Sequence, residues 1–515
     1  TGPTTTLTLT MDATHGELLR ASGNLTLELY NFFYVNGGFV IEKSSRTVKV
    51  YKDDGDPLTI DDNTDVNVDL LTIGGNNVSA FAGLNGGTLQ AFGLSLSGVE
   101  FALALLSETT GAERQWVSLQ ASATGASFSG VSGLTLSASD LSIEINRDDN
   151  DSLVNYAAQS LTVITGPGSD LTFNMDAEDG QLLRASGNLT LNLFNFFYVN
   201  GDFAIEKSSE TVKVYKDDNN PATADDNTDV NVDLLTLGGH NINAFAGLNA
   251  GTPEALGLSL TGVDFALTLL SEQVGTQREW VSLQATAEDV VFEGVAVDGV
   301  TIDVDTLSIE INRDDDDSLV NYAIQPLTVT TGPTTTLTFN MDAADGELLR
   351  ASGNLTLELY NFFQVSGGFA IEKSSRTVKV YKDDGDPLTI DDNTDVNVDL
   401  LTIGGNNVSA FAGLNGGTLQ ALGLSLTGVE FALALLSEKT GAHRQWVSLQ
   451  ATADDVSFVG IDGITVSVDT LSIEINRDDD DSLVNYAAQS LTVITGPSTD
   501  LTFNMDGEDG ELLRA

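Results

Sequence analysis

Three near-copies of one unit of about 165 residues follow one another in this chain, and that constrains its fold more than anything else in it. The tripeptide Thr-Gly-Pro recurs at Thr1, Thr165, Thr331 and Thr495, with spacings of 164, 166 and 164 residues. Met-Asp pairs beginning at Met11, Met175, Met341 and Met505 keep the same phase. Residues 41–91 and 371–421 are identical. The repeats therefore run over 1–164, 165–330 and 331–494, and 495–515 opens a fourth. Near-identical units bury their cores through contacts that recur from unit to unit. Because 1–21 and 495–515 share one phase, the segment reads as part of a longer array with a constant step between units.

Inside each unit, apolar residues alternate with period two, the mark of β-strands with one face buried. In the third unit Val447, Leu449, Ala451 and Ala453 share a parity, and Val456 and Phe458 take the other. The same three-residue phase change separates Leu426 from Val429 and Val468 from Leu471. Each long strand is thus two half-strands joined by a bulge or bend, which would let a strand pass from one sheet to a second. Gly- and Asp-rich turns at 108–113, 147–152 and 165–169 join the strands into an antiparallel meander. The second unit carries two extra residues within Gly294–Gly299, an even insertion that keeps the flanking strands in phase and marks a hairpin tip. The expected fold is all-β: a tandem array of antiparallel two-layer repeats with bent long strands. A β-solenoid is the alternative, disfavoured by the length of the repeat. Trp116, Trp280 and Trp446 open a core-facing strand and read as packing residues.

Charge narrows the function classes. Against 75 Asp and Glu stand 22 Lys and Arg, a net charge of −53. Such a surface repels nucleic-acid phosphates and attracts cations. The 41% hydrophobic content supports real cores, and the absence of cysteine excludes disulfide staples. No apolar run reaches the length of a membrane-spanning helix, so no membrane span is expected.

Alternating oxygen side chains form the sharpest candidate site. They are Asp61, Asn63, Asp65, Asn67 and Asp69; Asp225, Asn227, Asp229, Asn231 and Asp233; and Asp391, Asn393, Asp395, Asn397 and Asp399. The D-x-N-x-D spacing resembles the opening of calcium-binding loops, which supply six to eight hard oxygens, although Val66 stands where such a loop needs Gly. A second acidic group follows each Ile-Glu-Ile-Asn: Asp148, Asp149 and Asp151; Asp314 with Asp316; Asp478 with Asp480. Calcium is the expected cofactor at these two sets. A third set, Asp342, Asp345 and Glu347, is less regular. Lys43, Arg46, Lys49 and Lys52 lie in one stretch just before the first acidic set, as a charged edge strand or a strip that docks acidic groups. Asn24, Asn188, Asn354, Asn77 and Asn407 open glycan-acceptor tripeptides.

Nothing in the pattern points to catalysis. His15, His240 and His443 occupy unrelated repeat positions, and neither a cysteine nucleophile nor a phosphate-binding glycine loop is present. The acidic, cysteine-free near-copies, with Gly-Gly-Asn-Asn at 74–77, resemble the repeat regions of giant bacterial surface proteins such as the long RTX adhesins. That resemblance implies an extracellular, cell-surface protein forming a stalk, filament or surface layer. Its partners would be neighbouring copies or repeats. The alternative it leaves is a multivalent adhesin for cell-surface glycans, with residues 31–34, 195–198 and 361–364 as the aromatic candidates.

Overall fold

A computed structural model describes residues 18–514 except 30–32, 53–62, 85–90, 133, 149–151, 179, 195, 217–226, 249–255, 276, 294–299, 315–317, 360–361, 383–392, 417, 442, 462–465 and 479–481. In the first unit the strands are β1 (Leu19–Leu29), β2 (Phe33–Tyr51), β3 (Asn63–Leu84), β4 (Phe92–Glu108), β5 (Gln115–Ser129), β6 (Leu134–Asp148), β7 (Leu153–Val154), β8 (Leu161–Gly166) and β9 (Ser169–Phe173). The second unit holds β10 (Leu182–Leu193), β11 (Phe197–Tyr215), β12 (Asn227–Leu248), β13 (Leu256–Glu272), β14 (Glu279–Glu293), β15 (Val300–Asp314), β16 (Leu319–Val320), β17 (Leu327–Thr330) and β18 (Thr336–Phe339). In the third are β19 (Leu348–Leu359), β20 (Phe363–Tyr381), β21 (Asn393–Leu414), β22 (Leu422–Glu438), β23 (Gln445–Val459), β24 (Val466–Asp478), β25 (Leu483–Val484), β26 (Leu491–Gly496) and β27 (Thr499–Phe503), and β28 (Leu512–Arg514) follows. The protein is all-β.

The long strands pair with their sequence neighbours as an antiparallel meander, and the pairing does not stop between units. β6 pairs with β10 through Leu183↔Ile145 and β15 with β19 through Leu349↔Ile311. β24 meets β28 in the same way through Leu513↔Ile475. One continuous, unclosed sheet of 22 strands results. At about 4.8 Å per strand, each unit advances this ribbon by roughly 29 Å.

The phase changes are β-bulges. In the first unit Asn77, Gly98 and Asp140 adopt left-handed backbone angles, with φ of 49°, 58° and 53°, and the ladder slips beside them. Asn241, Gly262 and Thr306 repeat the device, as do Asn407, Gly428 and Thr470. The extra residue flips the parity once and pairing then resumes, so apolar side chains before and after it stay on one side. The bent strands thus remain in one sheet, which corrects the expectation that they cross into a second.

The second layer comes instead from the segment after β6. In the first unit this segment, with β7 and the hairpin β8–β9, lies over the lower half of the sheet. It closes a core of Val66, Val68, Leu70, Leu106 and Trp116 against Tyr156, Leu161, Val163 and Phe173. Equivalent cores form in the other two units. Thr-Gly-Pro is the turn of this hairpin. The approach is close enough that a Cβ on Gly74 would overlap the Ile164 carbonyl oxygen. Gly238 and Gly404 meet Thr330 and Ile494 in the same way. The glycines at 74–75 therefore serve packing.

Buried polar groups pin the covering segment in register. The Tyr156 hydroxyl donates to Ser118 Oγ at 2.7 Å, Ser118 donates to Asn146 Oδ1, and the Asn146 amide donates to the Val154 carbonyl. Trp116 Nε1 donates to the Ser152 carbonyl at 2.7 Å, and the Arg114 guanidinium stacks 5.2 Å from its ring centre. These bonds satisfy donors that burial would otherwise leave costly. Burial raises the Tyr156 hydroxyl well above its ordinary pKa, so it stays a neutral donor.

Candidate functional site: an uncovered apolar sheet face

Parity places apolar side chains on both faces of the lower half-strands, and the covering segment packs on only one. Leu106 and Trp116 are 1% exposed beneath it, whereas their neighbours Leu105 and Val117 are 37% and 42% exposed on the opposite side. Leu270 and Leu269, Trp280 and Val281, and Leu436 and Leu435 repeat the contrast.

Apolar residues of this side form continuous rows, exposed at Ile41 and Leu183 and half-buried at the other positions. Ile41, Ile73, Leu103, Leu119, Ile145 and Leu183 stand side by side across six strands and the first unit boundary. Above the bulges, Val35, Ala80, Leu96, Ala126, Ala138 and Leu189 form a second such row. Phe39 and Phe101 meet edge to face at 6.1 Å between the rows. Among the described residues the main packing of other elements on the sheet is through the covering hairpins on the other face. Single exposed apolar residues are ordinary, but contiguous rows of this extent mark a surface that contacts something apolar.

One cation interrupts the rows at each unit. Lys207 lies between Leu183 and Leu235, and Lys373 between Leu349 and Leu401. Neither makes an ion pair with any described residue. This contrasts with several other cations of the chain. Lys49, Lys213 and Lys379 bind Asp65, Asp229 and Asp395 at 3.1, 2.8 and 2.9 Å. At the unit boundaries Arg184 bridges Glu144 and Glu206 at 2.9 and 2.6 Å, and Arg350 bridges Glu310 and Glu372 at 2.7 and 2.8 Å.

The expected calcium residues are spread rather than gathered. Asp61, Asp225 and Asp391 lie outside the described residues, and Asn63, Asn227 and Asn393 begin strands. Asp65, Asn67 and Asp69 alternate along the extended β3, where same-face side chains stand roughly 6.6 Å apart. Each is taken by a group on β2: Lys49 on Asp65, Thr47 on Asn67 at 2.7 Å and Ser45 on Asp69 at 2.8 Å. Asp229, Asn231 and Asp233 repeat this with Lys213, Thr211 and Ser209. Asp395, Asn397 and Asp399 do so with Lys379, Thr377 and Ser375. In the second set Asp148, Asp314 and Asp478 accept the backbone N–H of Ser152, Ser318 and Ser482, as turn-closing groups. Asp149, Asp151, Asp316 and Asp480 lie outside the described residues.

β3 pairs along the whole of β2, whereas β1 pairs with it only from Phe33 to Lys43 and β7 only at Val50 and Tyr51, so residues 44–49 have a strand partner on one side. The β2 lysine at 49 faces an aspartate as the docking reading expected, while the one at 43 pairs with none among the described residues.

A carboxylate group that the spacing did not flag lies in the second unit. Asp289, Asp303 and Asp305 bring oxygens within 4.8 Å of one another across β14 and β15. Asp289 Oδ1 and Asp303 Oδ1 are buried without a hydrogen-bond partner. Burial, with Asp289 beside it, raises the Asp303 carboxyl above the usual carboxylate range. The only sequence signal was the Asp303-Val304-Asp305 alternation, opposite Asp289 in a register that the hairpin sets. Such a group could hold a divalent cation.

No family model matches the chain, and no curated protein matches it. Two solved structures align over most of its length. A siderophore receptor, PiuA from Acinetobacter baumannii, is 10% identical, with 95% of this chain and 78% of that one covered at a TM-score of 0.19. The siderophore receptor PirA from Pseudomonas aeruginosa is 10% identical, covering 91% and 74% at a TM-score of 0.16. Likeness at that level carries no argument about fold or function.

These alignments are to receptors, and nothing in them supports a stalk, filament, surface layer or adhesin. The sheet gives the physical reason for dropping that expectation. A self-sufficient extender would cover its apolar surface, and this ribbon leaves one face uncovered among the described residues. Neighbouring copies and surface glycans as partners are dropped with it. The expectation of no membrane span came from helix-length criteria. Among the described residues no helix is long and apolar enough to cross a membrane, which says nothing of strands.

Proposed function

We propose that the chain is a lipid-binding scaffold whose uncovered sheet face lies against hydrocarbon chains. The observation that carries this reading is the pair of apolar rows that cross the unit boundary without a break, on the face opposite the hairpin-covered cores. A pleated sheet of Leu, Ile, Val, Ala and Phe offers acyl chains a long surface free of buried polar atoms. Burying one half-exposed Leu or Ile under an acyl chain returns on the order of 1 kcal/mol, so contact along several rows gives useful affinity. An acidic, cysteine-free surface suits work outside the cell, in the envelope or at its surface.

The test is binding of hexadecanol, which has a long alkyl chain and no charge, to the full chain. Displacement of an environment-sensitive dye should report several sites per molecule. Leu105→Asn with Val117→Asn, both outside the core, should reduce the number of sites with the circular dichroism spectrum intact. No displacement by hexadecanol would defeat the proposal.

A further inference from the structure

The unpaired lysines in the apolar rows say what kind of lipid the face takes, on the reading that it binds hydrocarbon at all. At the first unit boundary a cavity of about 670 Å³ opens at the lower end of the face. Lys207, Arg147, Leu183 and Asp233 line it from the uncovered side. Lys207 pairs with Leu183, and Leu183 with Ile145, two residues above Arg147 on β6. The two cations are therefore diagonal neighbours on one face, two strands apart, with Leu183 between them. Both are exposed, and neither makes an ion pair with any described residue.

An exposed cation that no described acid occupies, in a molecule with 75 acidic residues and 22 basic ones, is open to an external anion. Asp233, the acidic residue that shares this side of the cavity, already accepts Ser209 Oγ at 3.2 Å and Gln273 Nε2 at 2.9 Å. Asp148 and Glu210, which also line the cavity, stand opposite the buried Trp116 and Val232 and so belong to the covered face. The whole lining carries three cations, with Lys52 the third, and four acids, with Glu178 the fourth; on the uncovered side alone, two cations against one carboxylate leave a single positive charge at the foot of an apolar surface. Above Lys207 on β11 that surface continues through Ile205, Phe203 and Val199.

We propose that this boundary binds a long-chain alkyl carboxylate, with its headgroup on Lys207 and Arg147 and its chain along the rows above. From Lys207 to Phe197 the strand extends about 33 Å, more than the length of a sixteen-carbon chain. One net charge favours a monoanionic carboxylate over a doubly charged phosphate monoester.

The second boundary has the same frame and a different charge balance. Its cavity, of about 460 Å³, is lined by Arg313, Lys373, Val281 and Leu349 together with Glu279 and Glu347. Glu347 occupies Arg313 at 3.6 Å. At the first boundary Gln115 and Gln181 stand at the positions of these two glutamates. The first boundary is thus the stronger anion site.

The experiment compares hexadecanoate with hexadecanol on the full chain, on Lys207→Gln with Arg147→Gln, on Lys373→Gln, and on Lys49→Gln as a control. Hexadecanoate should bind the unsubstituted chain about tenfold more tightly than the alcohol, as a charge-assisted contact at a half-exposed site allows. The Lys207/Arg147 double variant should remove most of that preference, Lys373→Gln should remove less, and Lys49→Gln none. Equal binding of acid and alcohol, or a preference that survives the double variant, would overturn the carboxylate site while leaving the hydrocarbon face standing. Failure of hexadecanol itself to bind would bring down the face and the site together. A stronger preference for hexadecyl phosphate than for hexadecanoate would overturn the choice of a monoanion.

Discussion

Arg184 is the point at which the joint between the first two units can be tested. Its guanidinium on β10 reaches Glu144 on β6 and Glu206 on β11, with side-chain exposures of 31%, 17% and 14%. Replacing it by Met keeps the length of the side chain and leaves two largely buried carboxylates facing each other across one strand. Breaking a fully buried pair from one side costs about 3–5 kcal/mol, and an exposed pair is worth roughly 0–1 kcal/mol. At the burial seen here Arg184→Met should cost about 2–3 kcal/mol, between those two limits. Urea unfolding of the full chain, followed by tryptophan fluorescence, reads this as a lower midpoint, and hydrogen exchange should place the loss at β6 and β10. Removing the charges together, as Arg184→Met with Glu144→Gln and Glu206→Gln, should recover most of it, because the cost lies in the stranded carboxylates. A cost below about 0.5 kcal/mol, or no recovery in the triple variant, would refute the claim that the triad holds the units in one sheet.

Three further outcomes are expected. The Arg114 guanidinium and the backbone of the same turn hold the Glu108 carboxyl at about 2, against an ordinary 4.5. Its folded pKa is depressed, so its stabilisation is complete above 4.5 and fades as pH falls toward 2; Glu108→Gln should flatten the acid-unfolding profile in that window. Asp303 has a raised carboxyl pKa, so ionising it costs stability once pH passes its folded value. Asp303→Asn should therefore raise the melting temperature at pH 7 in EGTA and lose that advantage at low pH, and an unchanged melting temperature would show that the carboxylates do not repel. If calcium sits among these carboxylates, adding it to the unsubstituted protein relieves the same repulsion, and the two gains should not add. Gly74→Ala would press a methyl group into the Ile164 carbonyl, so hydrogen exchange should rise in residues 161–173 while the long strands stay protected, at a cost of about 1–3 kcal/mol.

Much of the fold was legible from residue order alone. The repeat, the strand alternation and the phase changes led to an all-β meander, because strand parity depends only on local geometry. The phase changes at Val429 and Leu471 fell on bulges at Gly428 and Thr470, and the tryptophans proved to be core. What the order of residues could not reveal is which of two apolar faces the chain would cover. Leu105 and Leu106 are chemically the same residue at adjacent positions, and only the docking of β8 against Gly74 buries one and bares the other. The fate of the acidic stretch was decided at the same level. Asp65, Asn67 and Asp69 would converge in a loop, but β2 pairs with them residue for residue and holds them apart. Periodicity is written in the covalent chain, whereas coverage and convergence depend on contacts between residues up to about a hundred positions apart, such as Thr47 with Gln159, and these exist only once the sheet has formed.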